Sequence, residues 1–406
     1  VSTQEWRQST LAEVLGSNGS IKTGPFGTML KASEYSESGV PVISVGEVGY
    51  GTLKLRKDTP RVSPTTTSRL GEYVLETNDI VFGRKGAVDR SSIVRSSENG
   101  WFLGSDGIRV RLPSTVNAGF IAYQFQLETI RTWLLQHASG STMLSLNQGT
   151  LERIPLLVPT LAKQHAIADV LCALDDKIAA NTKLATTSSL LAQSVFAAAA
   201  DNHGVEVGLS ESSSLLSRGI TPKYSDDEES MVVLNQKCVR YQRVGLGPAR
   251  RTILSKVRQD KELHLDDVLV NSTGQGTLGR VARWTLDGRV TVDSHITIVR
   301  FNPEVIDPVC GGFAVLRNEE KITAMAEGST GQTELSRVEL GKLKLMLPPS
   351  EQQRALGQHL AKMTTMENAY LLENQALAAT RDALLPQLMS GKLRVKDAEQ
   401  IVSAAV

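Results

Sequence analysis

Two long stretches carry the clearest hydrophobic periodicity in the chain. In the first, Ile167, Leu171, Leu174, Ile178, Asn181, Ala185, Ser188, Ala192 and Val195 alternate at spacings of four and three. In the second, Leu356, Leu360, Met363, Glu367, Tyr370, Asn374, Leu377, Arg381, Leu384 and Leu388 do the same. A mean spacing of 3.5 residues keeps one stripe turned toward a partner helix. About 40 residues at 1.5 Å each make a rod of roughly 60 Å. Alone, such a rod would leave its stripe in water, so two paired helices are predicted. The seam is assigned to Leu171, Leu174, Ile178, Asn181, Leu360, Met363, Tyr370, Asn374 and Leu377. Asn181 and Asn374 interrupt it, as polar residues that fix register at some cost in stability do. The alternative is two amphipathic helices, each packed on its own domain.

Elsewhere short apolar runs are separated by Gly, Asn and Asp turns, a strand pattern. Val40–Val45, Asp79–Phe82 and Ile108–Arg111 read as strands, and so do Met231–Leu234, Val268–Val270 and Ile296–Val299. One helical segment is predicted around Phe120 to His137, with a weaker counterpart near Gly311 to Met325. These elements recur in order. Asp79-Ile80-Val81 returns as Asp267-Val268-Leu269, 188 residues later, and Gly86, Ile108 and Gly140-Ser141-Thr142 match Gly274, Ile296 and Gly328-Ser329-Thr330 at the same offset. With one inserted residue, Leu157-Val158-Pro159 and Gln164 match Met346-Leu347-Pro348 and Gln353. A period this long is too large for a solenoid repeat, so a whole domain plus its helix is duplicated. The predicted fold is mixed α+β: a first domain over 1–158, a helix over 159–200, a second domain over 201–348, a helix over 349–391 and a tail over 392–406.

Composition narrows the function by exclusion. The 406 residues are 41% apolar and 21% charged, ordinary for a folded soluble protein. Lys and Arg total 44 against 43 acidic residues, which excludes a globally basic coat but not a local basic face. No apolar run reaches the ~20 residues that span a bilayer, and the opening VSTQEWRQSTLAEV has no signal-peptide core. Cys172, Cys238 and Cys310 are widely spaced and form no CxxC, so a cytoplasmic location without a metal framework is expected. The six histidines are dispersed. There is no phosphate loop, no H-E-x-x-H and no G-x-S-x-G elbow, and the aromatic-flanked Pro-Pro tetrapeptide of amino-methyltransferases is missing. No catalytic residue is therefore assigned.

Gly274-Gln275-Gly276-Thr277-Leu278-Gly279 fits G-x-G-x-x-G after a strand. A dinucleotide fold needs a helix next, with the pyrophosphate at its N-terminus. Instead Val281-Ala282-Arg283-Trp284, a turn at Asp287-Gly288 and Val290-Thr291-Val292 suggest a hairpin. The loop is better read as backbone approaching some other surface.

Positive charge is the signal that remains. From Lys237 to Arg258 there are seven basic residues and no acidic one. Among them Lys237, Arg240, Arg243, Arg250 and Arg251 are candidate phosphate contacts, joined by Arg84, Lys85 and Arg280 of the glycine-rich loops. Asn235, Gln236, Ser272, Thr273 and Gln275 have amide or hydroxyl groups suited to base edges. Lys22, Thr23, Lys223 and Tyr224 complete the candidate DNA-binding set. A single basic run is as often a solvated face, but similar placement in two tandem copies favours DNA.

The chain resembles the specificity (S) subunits of Type I restriction-modification systems along nearly its whole length. The resemblance rests on Ile21-Lys22-Thr23-Gly24-Pro25-Phe26-Gly27, Gly39-Val40-Pro41-Val42-Ile43 and Ile154-Pro155-Leu156-Leu157-Val158-Pro159. It continues in Leu174-Asp175-Asp176-Lys177-Ile178, Arg218-Gly219-Ile220-Thr221-Pro222-Lys223-Tyr224 and the run Arg381–Gly391. It implies two target-recognition domains, each reading half of a bipartite, asymmetric double-stranded DNA site. It also implies antiparallel packing of the long helices as a coiled coil, which docks two methyltransferase (modification) subunits. No catalysis and no bound cofactor are implied for this chain. S-adenosylmethionine would sit on the modification subunits, and ATP and Mg on restriction subunits joining the complex. The competing expectations are a fused methyltransferase, for which the chain lacks a cofactor domain, and a scaffold whose basic run binds an acidic protein.

Overall fold

The computed structural model describes residues 6–227, 229–327 and 334–405. They form two compact units. The first takes the chain up to Ile178 and again from Gln375 onward; the second runs from Ala179 to Asn374.

In the first unit Ser20–Thr23, Gly107–Arg111, Ile80–Gly83 and Ser91–Ile93 lie in that order in one antiparallel sheet. A second sheet orders Tyr35–Ser36, Arg61–Val62, Val40–Ile43 and Phe102–Leu103, its last pair parallel. Arg7–Thr10 pairs antiparallel with Pro155–Val158. The second unit repeats this plan. Ser213–Arg218, Ile296–Phe301, Val268–Asn271 and Val281–Arg283 make the first sheet. Arg250–Ile253, Ser230–Leu234 and Val290–Val292 make the second, again with a parallel last pair. Val205–Gly208 pairs with Lys344–Leu347.

The duplication extends to individual hydrogen bonds. Asp79, 1% exposed, accepts from Nε and Nη2 of Arg111 at 2.7 and 2.8 Å and from the backbone N–H of Glu76. Asp267, equally buried, does the same with Arg300 at 2.8 and 2.6 Å and the N–H of His264. Near the start of each long helix a buried glutamine donates to a proline carbonyl five residues back, Gln164 to Pro159 and Gln353 to Pro348, both at 2.9 Å. Its carbonyl oxygen accepts from the N-cap residue of the helix packed beside it, Asn117 or Asp307. Buried polar groups need such partners, and the same solution appears twice. The Gly328-Ser329-Thr330 part of the repeat lies outside the described residues.

The hairpin expected after the glycine-rich segment does not form. Val281–Arg283 folds back on Val268–Asn271, while Val290–Val292 joins the other sheet beside Ser230–Leu234. The glycine-rich segment is itself the connection between two antiparallel strands, and no helix follows it. The helical segment over Phe120 to His137 is two helices, Ala118–Gln126 and Glu128–His137. Its weaker counterpart is equally real, Pro308–Arg317 and Glu319–Glu327.

The long helices span Leu161–His203 and Ser350–Met389. In the first unit Ile167, Leu171 and Leu174 of one share a core with Leu377, Leu384 and Leu388 of the other, with Ile178 half-buried against it. Asp175 and Arg381 close an ion pair there at 2.6 Å. In the second unit Ala192, Phe196 and Ala200 share a core with Leu360, flanked by Met363. Asn181 bonds Glu373 at 2.8 Å, Asn374 bonds Thr182 at 3.0 Å, and the Ser188 hydroxyl donates to the carbonyl of Met363 at 3.1 Å. Numbers rise on one helix as they fall on the other, so the pairing is antiparallel; Tyr370 is half-buried. The segment after Gly391 forms a helix, Val395–Ala405, whose Ala398 is fully buried in the first unit's core. Among the described residues no helix is long and apolar enough to cross a membrane.

Candidate nucleic-acid interface

Each unit builds its candidate surface around a pinned glycine. Gly24 donates its N–H to the Gly107 carbonyl and Gly219 to that of Ile296, both at 3.0 Å. A Cβ at Gly24 would lie 1.8 Å from the Gly104 carbonyl oxygen, and one at Gly219 would lie 2.1 Å from that of Val292. Only glycine permits so close a backbone approach. Just beyond it, each unit exposes an aromatic ring beside an arginine. Arg84 lies over Phe26 at 5.7 Å, and Arg250 over Tyr224 at 3.3 Å. Such stacks hold a guanidinium in place without neutralising its charge.

Two of the first unit's candidate cations are paired with carboxylates. Lys22 pairs with Glu72 and lies 5.0 Å from the centre of the Tyr73 ring. Lys85 pairs with Asp106 at 3.4 Å, and Arg84 donates to the Ser105 carbonyl. Thr23 accepts a hydrogen bond from Gln148. The second unit leaves more charge at its surface. Lys223, Lys237, Arg240 and Arg250 are exposed. Arg251 is exposed but grips Ser230 through its hydroxyl and carbonyl, and with Arg289 it lines an open depression of about 310 Å³. Arg243 turns toward the second long helix and pairs with Glu367 at 2.5 Å, so it joins the domain to the helix.

The polar candidates divide. Ser272 is fully buried and bonds Thr297 at 2.6 Å, which removes it from any surface contact in this conformation. Asn235 spends its amide on the Pro248 carbonyl and the Lys237 N–H. Gln236 packs against Gly274, and its backbone carbonyl accepts from Asn271. Arg280 is tied to the Gly276 carbonyl at 2.7 Å. Gln275 is exposed at the loop tip, and Thr273 shares a hydrogen bond with His295. The glycine-rich loop, Lys237, Arg240 and the Tyr224–Arg250 stack are therefore the available surface. Phe26 is not among the sequence candidates; its position just after the pinned glycine is the signal that marks it.

Cys238 and Cys310 are buried, and burial pushes the thiols of all three cysteines up. Among the described residues no group of three or more His, Cys, Asp or Glu side chains is placed to hold a metal ion.

Residues 4–187 match a family model described as Type I restriction modification DNA specificity domain. The strands of the second unit, all beyond residue 187, repeat the first unit's strand orders. No curated protein is a significant sequence match. Among solved structures, the Type-I restriction-modification system S subunit from M. genitalium is similar with a TM-score of 0.61 at 16% identity, over 96% of this chain and 97% of that one. The HsdS subunit from Thermoanaerobacter tengcongensis aligns over 96% of this chain and 98% of its own, at 14% identity and a TM-score of 0.36.

Proposed function

We propose that the chain belongs to the Type I restriction-modification specificity family and that its two units are tandem DNA readers, each taking one half of a bipartite, asymmetric site. The chain is a non-catalytic subunit that directs partner subunits to DNA. Two methyltransferase subunits bind along the long helices and bring S-adenosylmethionine; restriction subunits bring ATP and Mg. The helices set the number of base pairs between the half-sites, because half-site spacing follows protein geometry.

One observation carries this reading. The same two-sheet domain occurs twice, down to the buried Asp79–Arg111 and Asp267–Arg300 pairs, while the surface candidates differ between copies. A shared scaffold with divergent surfaces is what two readers of different sequences require. Phosphate contacts supply most of the affinity and position the domain, and the exposed Gln275 and neighbouring groups supply base contacts.

The test is a gel shift with methylated and unmethylated duplexes, with and without the modification subunits, across a salt series. Specific binding by the assembled complex is expected, weakening steeply with salt. Failure of the assembled complex to retain any DNA would favour the scaffold.

A further inference from the structure

A two-residue hairpin in the second unit has an unusual tip. Val239–Arg240 pairs with Arg243–Val244, leaving Tyr241 and Gln242 as the turn. Both have positive φ, 55° and 60°. Turns with two such residues favour Asn-Gly or Gly-Gly, because a Cβ is disfavoured there. Here the first position is a tyrosine that is 84% exposed. Burial of that ring cannot explain the strained turn.

The turn is nevertheless firmly held. Gln242 donates to the Leu316 carbonyl at 3.1 Å and to Glu319 at 2.9 Å. Arg243 pairs with Glu367, and Val239 at the hairpin base is fully buried. The hairpin springs from the Gln236–Cys238 turn, which Asn271 fastens to the root of the glycine-rich loop. Tyr241 is thus fixed beside the candidate interface, flanked by exposed Arg240 and Lys237.

The first unit supplies a control. Val48 bridges Leu53 in the corresponding hairpin, and Tyr50 occupies the corresponding place. Its hydroxyl bonds Asp89 at 2.8 Å, and Arg131 covers its ring at 4.1 Å. Tyr50 is 49% exposed and tethered by these contacts, whereas Tyr241 is 84% exposed. Strain of this kind clusters at functional sites.

We propose that Tyr241 is a base-stacking residue, whose ring packs against a nucleobase opened within the half-site read by the second unit. Every base offers a π-face, and the surrounding cations suit a polyanion. The inference rests on the DNA-reading function proposed above and adds an opened base to it.

The test uses the full chain assembled with its methyltransferase subunits. The probe is a duplex carrying the target mapped from methylated genomic DNA, with 2-aminopurine placed in turn at each position of the half-site. Wild type should change the fluorescence at a position other than the methylated base, which the methyltransferase subunits themselves flip, and Tyr241→Phe should preserve this. Tyr241→Ala should abolish it and weaken binding roughly 5- to 100-fold, with the salt slope unchanged because no phosphate contact is lost. Tyr241→Asn, which tolerates the turn conformation, should lose the same response with a Tm no lower than wild type, separating function from folding. Wild-type affinity and fluorescence in Tyr241→Ala would overturn the proposal. So would a loss traced to weaker assembly with the methyltransferase subunits. If wild type binds no duplex at all, the DNA-reading function itself fails.

Discussion

Removing the Asp267 carboxylate tests whether the duplicated ion pair is a structural keystone of each unit. Asp267 is 1% exposed and Arg300 17%. The carboxylate accepts two hydrogen bonds from the guanidinium and a third from the His264 N–H. Asp267→Ala leaves a largely buried guanidinium that keeps the Glu262 carbonyl but loses its counter-charge. Breaking a buried pair from one side costs about 3–5 kcal/mol. For a unit of roughly 200 residues, at about 2–4 °C per kcal/mol, Tm should fall by about 6–20 °C. Peptide-resolved hydrogen exchange should show protection lost in Val268–Asn271 and Ile296–Phe301, the strands the pair joins. Asp79→Ala should do the same to Ile80–Gly83 and Gly107–Arg111 in the first unit. The double variant Asp267→Leu with Arg300→Met should recover much of the loss, since an apolar pair of similar volume often replaces a buried ion pair without penalty. A cost below about 1 kcal/mol for Asp267→Ala, or a double variant as unstable as the sum of the singles, would refute the reasoning.

The long helices are legible in the sequence because a 3.5-residue period sustained over about ten turns is the mark of a helix seam and of little else. The duplication is legible because Asp79 and Asp267 head matching strand patterns. The partner of a buried strand is not legible. Val281–Arg283 and Val290–Val292 are buried at every position, so alternation cannot say which sheet each joins, and the Asp287-Gly288 turn suggests a hairpin between them. Pro308–Arg317 looks weak because Gly311 and Gly312 lower helix propensity. Packing requires them, since a Cβ would lie 2.7 Å from the Phe301 ring or 2.6 Å from the Arg283 side chain. The surface is less legible than the scaffold. Ser272 and Arg243 have the composition of DNA contacts, yet one hydroxyl points inward to Thr297 and one guanidinium meets Glu367, 124 residues away. Residue type reveals what a side chain can bond; only the fold decides which bond it makes.

Arg250→Ala with Arg251→Ala should weaken binding to all duplexes and reduce the salt slope by about 1–2; an unchanged slope would remove these residues from the phosphate contacts. Gly219→Ala drives a Cβ onto the Val292 carbonyl and should yield a chain whose second unit is unfolded or insoluble, whereas normal solubility and Tm would show that the backbone can shift aside. Inserting four residues, about one turn, into a long helix should change the tolerated spacer between half-sites more than the half-sites themselves, as genomic methylation mapping can show; altered half-sites at constant spacing would contradict the role given to the helices. The seam asparagine offers the sharpest contrast between stability and register. Asn374 donates to Thr182, but its carbonyl oxygen is buried without a hydrogen-bond partner. Asn374→Leu removes that unsatisfied acceptor and should raise stability by about 1 kcal/mol, while cysteine cross-linking between the helices should detect more than one alignment, because apolar side chains pack in several registers and the asparagine bond in one. A destabilised variant with a single alignment would mean that register is set elsewhere along the seam.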